Sequence, residues 1–267
     1  MERTVGGRGD SMHKSQRTIL RSDEQYAPIA NAYVTSQIHA HGADLQRMVD
    51  LADLPTGAHV LDVGTGTGHT ALAFANGGAV VVGYDMTRAM LREAVGLAAA
   101  RAADFLAVQG MAESLPFADG SFDAVACRYC AHHFEDIPGA LSEMSRVMRP
   151  GGKLIFVDHV APEDDAADAF VNRLDWLRDP SHRREPRLSE YQSWFSNIGL
   201  NVAGIEYFRE RMVADEWFAR ARTEPEREAE ARQLLTAAPA SLRETFSISD
   251  DPAGFDLHMV LVLAARE

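Results

Sequence analysis

The stretch DVGTGTG sets Gly64, Gly66 and Gly68 at alternate positions behind an apolar run. Glycine turns tightly and lets backbone N–H groups approach a ligand, and a helix opening there adds partial positive charge. Asp85 ends the next β-branched run, AVVVGYD, 21 residues after Gly64. In dinucleotide folds an acid at that offset binds ribose hydroxyls. The pair points to an adenosine-like ligand with a free ribose diol. A second chemistry is proton transfer. His132 and His133 follow FDAVACRY, His159 follows KLIFVD, and His182 sits in RDPSHRRE. An unperturbed imidazole titrates near ~6.5 and so takes a proton at neutral pH. His133 is the first candidate base, with His159 and His182 behind it, and capping or packing is the alternative for each. His132, Asp158 and His159 lack the i, i+4 spacing of a helix-borne metal site, and no metal is expected. Cys127 and Cys130 lie at the end of a β-like run, where residues three apart face opposite sides, so no redox or metal pair is expected.

These groups need elements to bring them together. From residue 59 onward, β-branched runs alternate with helical patterns. HVLDVG, AVVVGYD, FLAVQG, FDAVACRY and KLIFVDHV read as five strands. Helices are expected from His69 to Asn76, over TRAMLREAVGLAAARA with Thr87 as N-cap, and over IPGALSEMSRVMR, stopped by PGG. The alternation implies right-handed βαβ units and a parallel sheet covered on both faces. Ligands bind such sheets outside the C-terminal strand ends, where all these histidines except His182 fall by topology. After Val160, DDAADAFVNRLDWLRD and SEYQSWFSNIGL read as helices, the second capped by Ser189. NVAGIEYF and FDLHMVLVLAAR read as the last strands. Residues 211–246 are helical in pattern and are expected to cap the sheet edge or the site. Trp176, Trp194, Phe195, Trp217 and Phe218 wall a substrate pocket or, more simply, form the core of that cap.

The whole chain bounds the function. It has 267 residues, 46% of them apolar, and a formal net charge of −13. That acidity argues against a broad nucleic-acid or anionic-membrane surface, which needs clustered Lys and Arg. No run of about 18 apolar residues suggests a membrane span. The N-terminus lacks the apolar segment of a signal peptide. A cytoplasmic, disulfide-free protein acting on a small molecule is expected. Oligomeric state is left open, a homodimer being one of the states allowed.

The glycine spacing separates two ligands. A dinucleotide fingerprint reads G-x-G-x-x-G, whereas here the third glycine comes one residue sooner and His69 stands in its place. VLDVGTGTG, VVGYDMTRAML, GMAESLPFADGSFDAVACRYCAHHF and MSRVMRPGGKLIFVDH resemble class I S-adenosylmethionine-dependent methyltransferases. The nearest group holds the ubiquinone/menaquinone-biosynthesis C-methyltransferases. A narrower bacterial subgroup, with no known substrate, resembles CRYCAHHF, VDHVAPED, FVNRLDWLRDPSHRRE and LSEYQSWF as well.

The resemblance implies a Rossmann-like, doubly wound α/β fold. Its seven-stranded sheet would be mostly parallel, with an antiparallel last strand and a helical cap. A disordered lead-in (1–25) would precede a helical lid (26–58), a cofactor core (59–160) and a substrate-side segment (161–267). It also implies site roles. Asp62 would help place the methionine ammonium through the loop and waters, Gly64 and Gly66 would line the methionine part with Thr65 and Gly68 also at the cofactor, Asp85 would hold the ribose, and Met86 would pack on the adenine face. Met111, Ala112 and Glu113 would border the adenine edge, where many relatives carry an Asp in place of Met111. A backbone carbonyl at Arg128 would meet the methionine ammonium, and Tyr33 would come from the lid. The expected activity is methyl transfer to a small acceptor at O, N, S or C. The alternatives are a cofactor-binding module without transfer and, less compatible with the glycine spacing, a nicotinamide-linked oxidoreductase.

Overall fold

The computed structural model describes residues 19–251 and 253–267. The expected disordered lead-in lies outside the described residues as far as residue 18, and the chain is already helical from Ser22, ahead of the boundary at 26. The N-terminal helices are α1 (Ser22–Tyr26), α2 (Ala30–Val34), α3 (Gln37–His41) and α4 (Ala43–Ala52). The core alternates β1 (His59–Val63), α5 (His69–Asn76), β2 (Val80–Asp85), α6 (Arg88–Ala100), β3 (Leu106–Gln109), β4 (Phe122–Arg128), α7 (Ile137–Val147) and β5 (Met148–His159). Then follow α8 (Asp165–Arg178), α9 (Leu188–Asn197), β6 (Leu200–Val213), α10 (Ala214–Ala221), α11 (Pro225–Thr236), α12 (Ala240–Thr245) and β7 (Gly254–Arg266).

The strands form one seven-stranded sheet in the order β3-β2-β1-β4-β5-β7-β6. Strands β1 to β5 pair in parallel, and β7 runs antiparallel to both β5 and β6. This is the doubly wound sheet with an antiparallel last strand that the sequence implies. The chain leaves β1 toward β2 and β3, then returns to β4 on the other side. That reversal makes the β1/β4 boundary a switch point, where a crevice opens beyond the C-terminal strand ends.

Side-chain alternation covers both sheet faces. Leu61, Val125, Leu154 and Phe156 face one core with Met144, Tyr191 and Phe195. Val60, Ala124, Ile155 and Val157 face the other with Met48 and Phe74. The early part of β7 enters a third core, where Phe255 and Leu257 meet Trp217, Phe218 and Phe246 of the cap. Among the described residues no helix is long and apolar enough to cross a membrane.

Several local expectations need correction. Thr87 stands at the N-cap of α6 but makes no side-chain cap bond; its own N–H instead donates to Asp85 Oδ1 at 2.7 Å. Ser189 lies inside α9, whose N-cap is Arg187. The PGG segment does not separate helix from strand. Strand β5 begins at Met148, and PGG lies within it at an irregularity where the register jumps from Phe122↔Met148 to Ala124↔Lys153. Strand β6 runs on to Val213, so the helical cap begins at Ala214 and not at 211.

One buried ion pair ties the lid to the sheet. Arg128, last in β4, reaches Asp44 of α4 with Nε–Oδ2 at 2.5 Å and Nη2–Oδ1 at 3.0 Å. It also donates to the carbonyls of Ile38 and His39. The two side chains are only 3% and 5% exposed. A guanidinium left there without its carboxylate would be an uncompensated buried charge. Asp44→Ala should therefore cost about 3 kcal/mol of stability, read from urea unfolding. A loss below about 1 kcal/mol, the range of an exposed pair, would refute this role.

Candidate active site

The crevice begins with the glycine loop. Gly64, Gly66 and Gly68 all have positive φ, which explains the residue type at each. Beneath them lies Asp62, buried at the end of β1. Its Oδ2 accepts from Thr65 Oγ1 at 2.6 Å and from Ala71 N–H at 3.0 Å, fixing both the loop and the first turn of α5. Burial raises its pKa to about 7, against the pull of those two donors. Asp85 faces the loop from β2, with Oδ2 accepting from Gly66 N–H at 2.9 Å. Burial raises its pKa too. Gly64, Thr65, Gly66, Asp85, Met86, Met111, Ala112 and Glu113 all line the same cleft.

The lid closes on this loop. The carbonyl of Tyr33 takes His69 Nε2 at 3.2 Å and Thr67 Oγ1 at 3.4 Å. The Tyr33 ring stands edge-on to Tyr26 and His39. Tyr26 O–H donates to Asp179 at 2.6 Å and lies 2.9 Å from His133 Nε2, so the lid also grips the far wall.

That wall is a histidine cluster. Asp158, fully buried in β5, accepts from His132 N–H at 3.1 Å, His132 Nδ1 at 2.6 Å and His159 N–H at 2.8 Å. His159 Nδ1 lies 3.0 Å from Glu185 Oε1. The two imidazoles stack with centroids 4.8 Å apart and planes at 13°. Burial lowers the pKa of His132 and of His159. Both rings are therefore neutral at pH 7, with Nδ1–H donating to a carboxylate. Among the described residues neither Nε2 has a hydrogen-bond partner, and both rings line the cleft. Behind His159, Asp175 and Glu185 face each other within hydrogen-bond reach, and each keeps one buried oxygen without a donor. Burial raises the pKa of Asp175 well above the usual range and that of Glu185 to about 7.

Comparison with known proteins gives the arrangement a family. Residues 61–156 match the family model described as Methyltransferase domain. The chain is 38% identical over 248 residues to the uncharacterized methyltransferase YcgJ of Bacillus subtilis, covering 91% of this chain and 98% of that protein. The chain belongs to the methyltransferase family. Its kind is the class I, S-adenosylmethionine-dependent one that the sequence resembles. The crystal structure of YcgJ matches with a TM-score of 0.83 at 39% identity, over 85% of this chain and 99% of that one. A demethylmenaquinone methyltransferase of Thermus thermophilus is 37% identical over 147 residues, 53% of this chain and 67% of that protein.

Within this methyltransferase, some expected residues take other places. Asp62 and Gly68 do not line the cleft: Asp62 braces the loop from beneath, and Gly68 packs against Ala94 of α6. Glu113 accepts from the N–H groups of Glu135 and Asp136, so it holds the next loop. His182 is buried behind the cleft wall beside Asn172. His133 lines the cleft, but both its nitrogens are engaged, Nε2 by Tyr26 and Nδ1 by Ser181. Of the three residues weighed for a metal, His132 bonds to Asp158, and His159 bonds to Glu185. Cys127 and Cys130 do not face opposite sides. Tyr129 turns the chain at φ 56° and brings the sulfurs to 3.3 Å, both thiols free. Arg178, Arg220, Glu185 and Asp179 were not signalled by the sequence, because segments far away in the chain bring them to the cleft.

Burial, and then the charge of His132, lower the pKa of His133 to about 3. An unfolded imidazole titrates near ~6.5, so the unfolded chain binds this proton first. The contribution of His133 to stability is thus whole above pH ~6.5 and is lost as pH falls toward ~3. Its ring resonances should stay those of a neutral imidazole from about pH 5 to 8. An NMR titration that finds a midpoint in that window would exclude the buried, doubly bonded state.

Proposed function

We propose that this methyltransferase binds S-adenosylmethionine along the β1 and β2 ends and methylates a small acceptor held between that cofactor and the histidine wall. The observation that carries this reading is one cleft with two unlike sides. The glycine loop and Asp85 form one side, and two imidazoles with unpaired Nε2 atoms form the other. The residues suit the cofactor. A Cβ on Gly66 would meet no protein atom nearer than Gly64 O at 4.0 Å, so the loop leaves space that a ligand can fill. Asp85 accepts one N–H on each oxygen, and its remaining lone pairs suit two ribose hydroxyls. When bound, the cofactor supplies an electrophilic methyl group on a sulfonium sulfur.

The chain's own task is to align a nucleophile, exclude water and take a proton. His159 is our choice of base. Its Nδ1–H is held by Glu185, which leaves the Nε2 lone pair toward the cleft. Tyr33 and the lid would keep water out. Met212 and Trp217 supply apolar wall for the acceptor. Free, adjacent thiols at Cys127 and Cys130 fit a cytoplasmic setting.

Two measurements test this. Asp85→Ala removes charge-assisted bonds worth about 1.5–3 kcal/mol each, so S-adenosylmethionine affinity should fall at least about tenfold by calorimetry. Unchanged affinity would remove the ribose assignment. His159→Gln should lower kcat about 10²-fold on a true acceptor and leave cofactor affinity intact. Because the pKa of His159 is lowered, its neutral form persists below pH ~6.5 and the acidic limb of the rate profile should lie there. A variant that keeps both its rate and this limb would rule His159 out as the base.

A further inference from the structure

Among the described residues five arginines line the cleft: Arg21, Arg128, Arg178, Arg183 and Arg220. Three are neutralised within the protein. Arg21 pairs with Asp23, Arg128 with Asp44 and Arg183 with Glu135. Arg178 and Arg220 differ. Among the described residues neither forms an ion pair. Arg178 ends α8 and donates only through Nε, to the carbonyl of Trp217 at 3.1 Å, with its guanidinium over the Trp217 ring at 4.9 Å. Arg220, in the last turn of α10, has its Nε buried with no hydrogen-bond partner at all.

Against the cost of burial, the charges of Tyr33, Tyr26, Asp179 and Asp175 raise the pKa of Arg178, but among the described residues neither acid forms an ion pair with it. Asp179 accepts from Tyr26 O–H and from Ser181, and Asp175 faces Glu185. The two arginines also repel each other. The charge of Arg178, after burial itself, lowers the pKa of Arg220, and both charges help to lower those of His39 and His159. Two like charges in a partly dry cleft are costly unless something anionic meets them. An overall charge of −13 makes an unpaired cationic pair at this one place more telling.

We infer that Arg178 and Arg220 form a clamp for an anionic group, a carboxylate or phosphate, carried by the methyl acceptor. The placement fits. Both arginines come from the segment after β5, beside Met212, Trp217 and His159, whereas Asp85 and the glycine loop lie at the β1 and β2 ends. A guanidinium matches the planar geometry of either oxyanion and binds it in a forked, charge-assisted way. An acceptor anchored there by its anion would present the rest of its skeleton to His159 and to the cofactor side. This inference rests on the proposed function, and it narrows the acceptor to anionic small molecules.

The test begins with S-adenosylhomocysteine binding to the full chain by calorimetry, which checks the underlying reading separately. The saturated complex is then titrated with benzoate against benzamide, and with phenyl phosphate against phenol. The charged member of at least one pair should bind at least about tenfold more tightly than its neutral partner. Arg178→Met and Arg220→Met should each remove that preference and change S-adenosylhomocysteine affinity less than about twofold. Arg220→Lys should keep part of it, since charge remains and the fork is lost. Removing one of two like charges should leave the ligand-free melting temperature of Arg220→Met unchanged or higher, which separates a binding role from a structural one. Equal binding of charged and neutral partners, or no binding of any of the four, would overturn the clamp while S-adenosylhomocysteine binding still stands. A fall of about tenfold or more in S-adenosylhomocysteine affinity in both Met variants would overturn it too, since the clamp would then hold the carboxylate of the cofactor.

Discussion

Carboxylates at the C-terminal strand ends must be satisfied by the loops that follow, and this constraint shapes the crevice. Asp62, Asp85 and Asp158 stand at or next to the last positions of β1, β2 and β5. A buried carboxylate without donors costs several kcal/mol, on the order of 2–7 for a neutral polar group and more for a charge. Each therefore collects N–H or O–H groups from a loop. Asp62 takes Thr65 and Ala71, Asp85 takes Gly66 and Thr87, and Asp158 takes His132 and His159. The glycine loop, the opening of α6 and the histidine wall are all held by this one device. Ligand geometry is thus set before a ligand arrives, which is what positioning catalysis requires.

The two sides of the cleft have opposite electrical character. Toward β1 and β2, backbone N–H groups, an acid and small side chains suit a ligand that carries its own charge. Toward α8 and α10, neutral imidazoles stand beside two arginines that form no ion pair among the described residues. The protonation of the imidazoles depends on those arginines as well as on burial. A ligand anion that met Arg178 and Arg220 would relieve that field and make His159 a stronger base. Acceptor binding and base strength would then be linked through charge alone.

The sequence made legible whatever depends on neighbours along the chain. Alternating strands and helices, the glycine loop and the offset of Asp85 all follow from local periodicity and spacing, and the sheet they imply is the one that forms. Positions decided by distant partners, or by a local backbone conformation that periodicity does not foresee, were not legible. Cys130 meets Cys127 because Tyr129 takes a left-handed backbone conformation, which strand alternation does not foresee. His133 precedes His159 in sequence logic, yet Tyr26, 107 residues away, occupies its Nε2. The missing cap bonds at Thr87 and Ser189 are local instead: Asp85, two residues earlier, takes the N–H of Thr87, and α9 starts after Arg187, ahead of Ser189.

His132 and His159 also have to be understood together. Their stacked rings cannot both be charged at 4.8 Å without strong repulsion, so the wall holds at most one proton at a time. What lies behind each ring decides where it goes. Asp158 already spends its oxygens on three N–H donors, so a proton on His132 brings it no new partner. Behind His159, Glu185 Oε1 faces Nδ1 at 3.0 Å while its other oxygen has no donor, and the charge of Asp175 favours a protonated ring. An imidazolium formed at His159 would therefore meet carboxyl oxygens with accepting capacity left, which offsets part of the cost of a buried charge. That capacity lies behind His159 and not behind His132, and it is the physical reason to place the proton there.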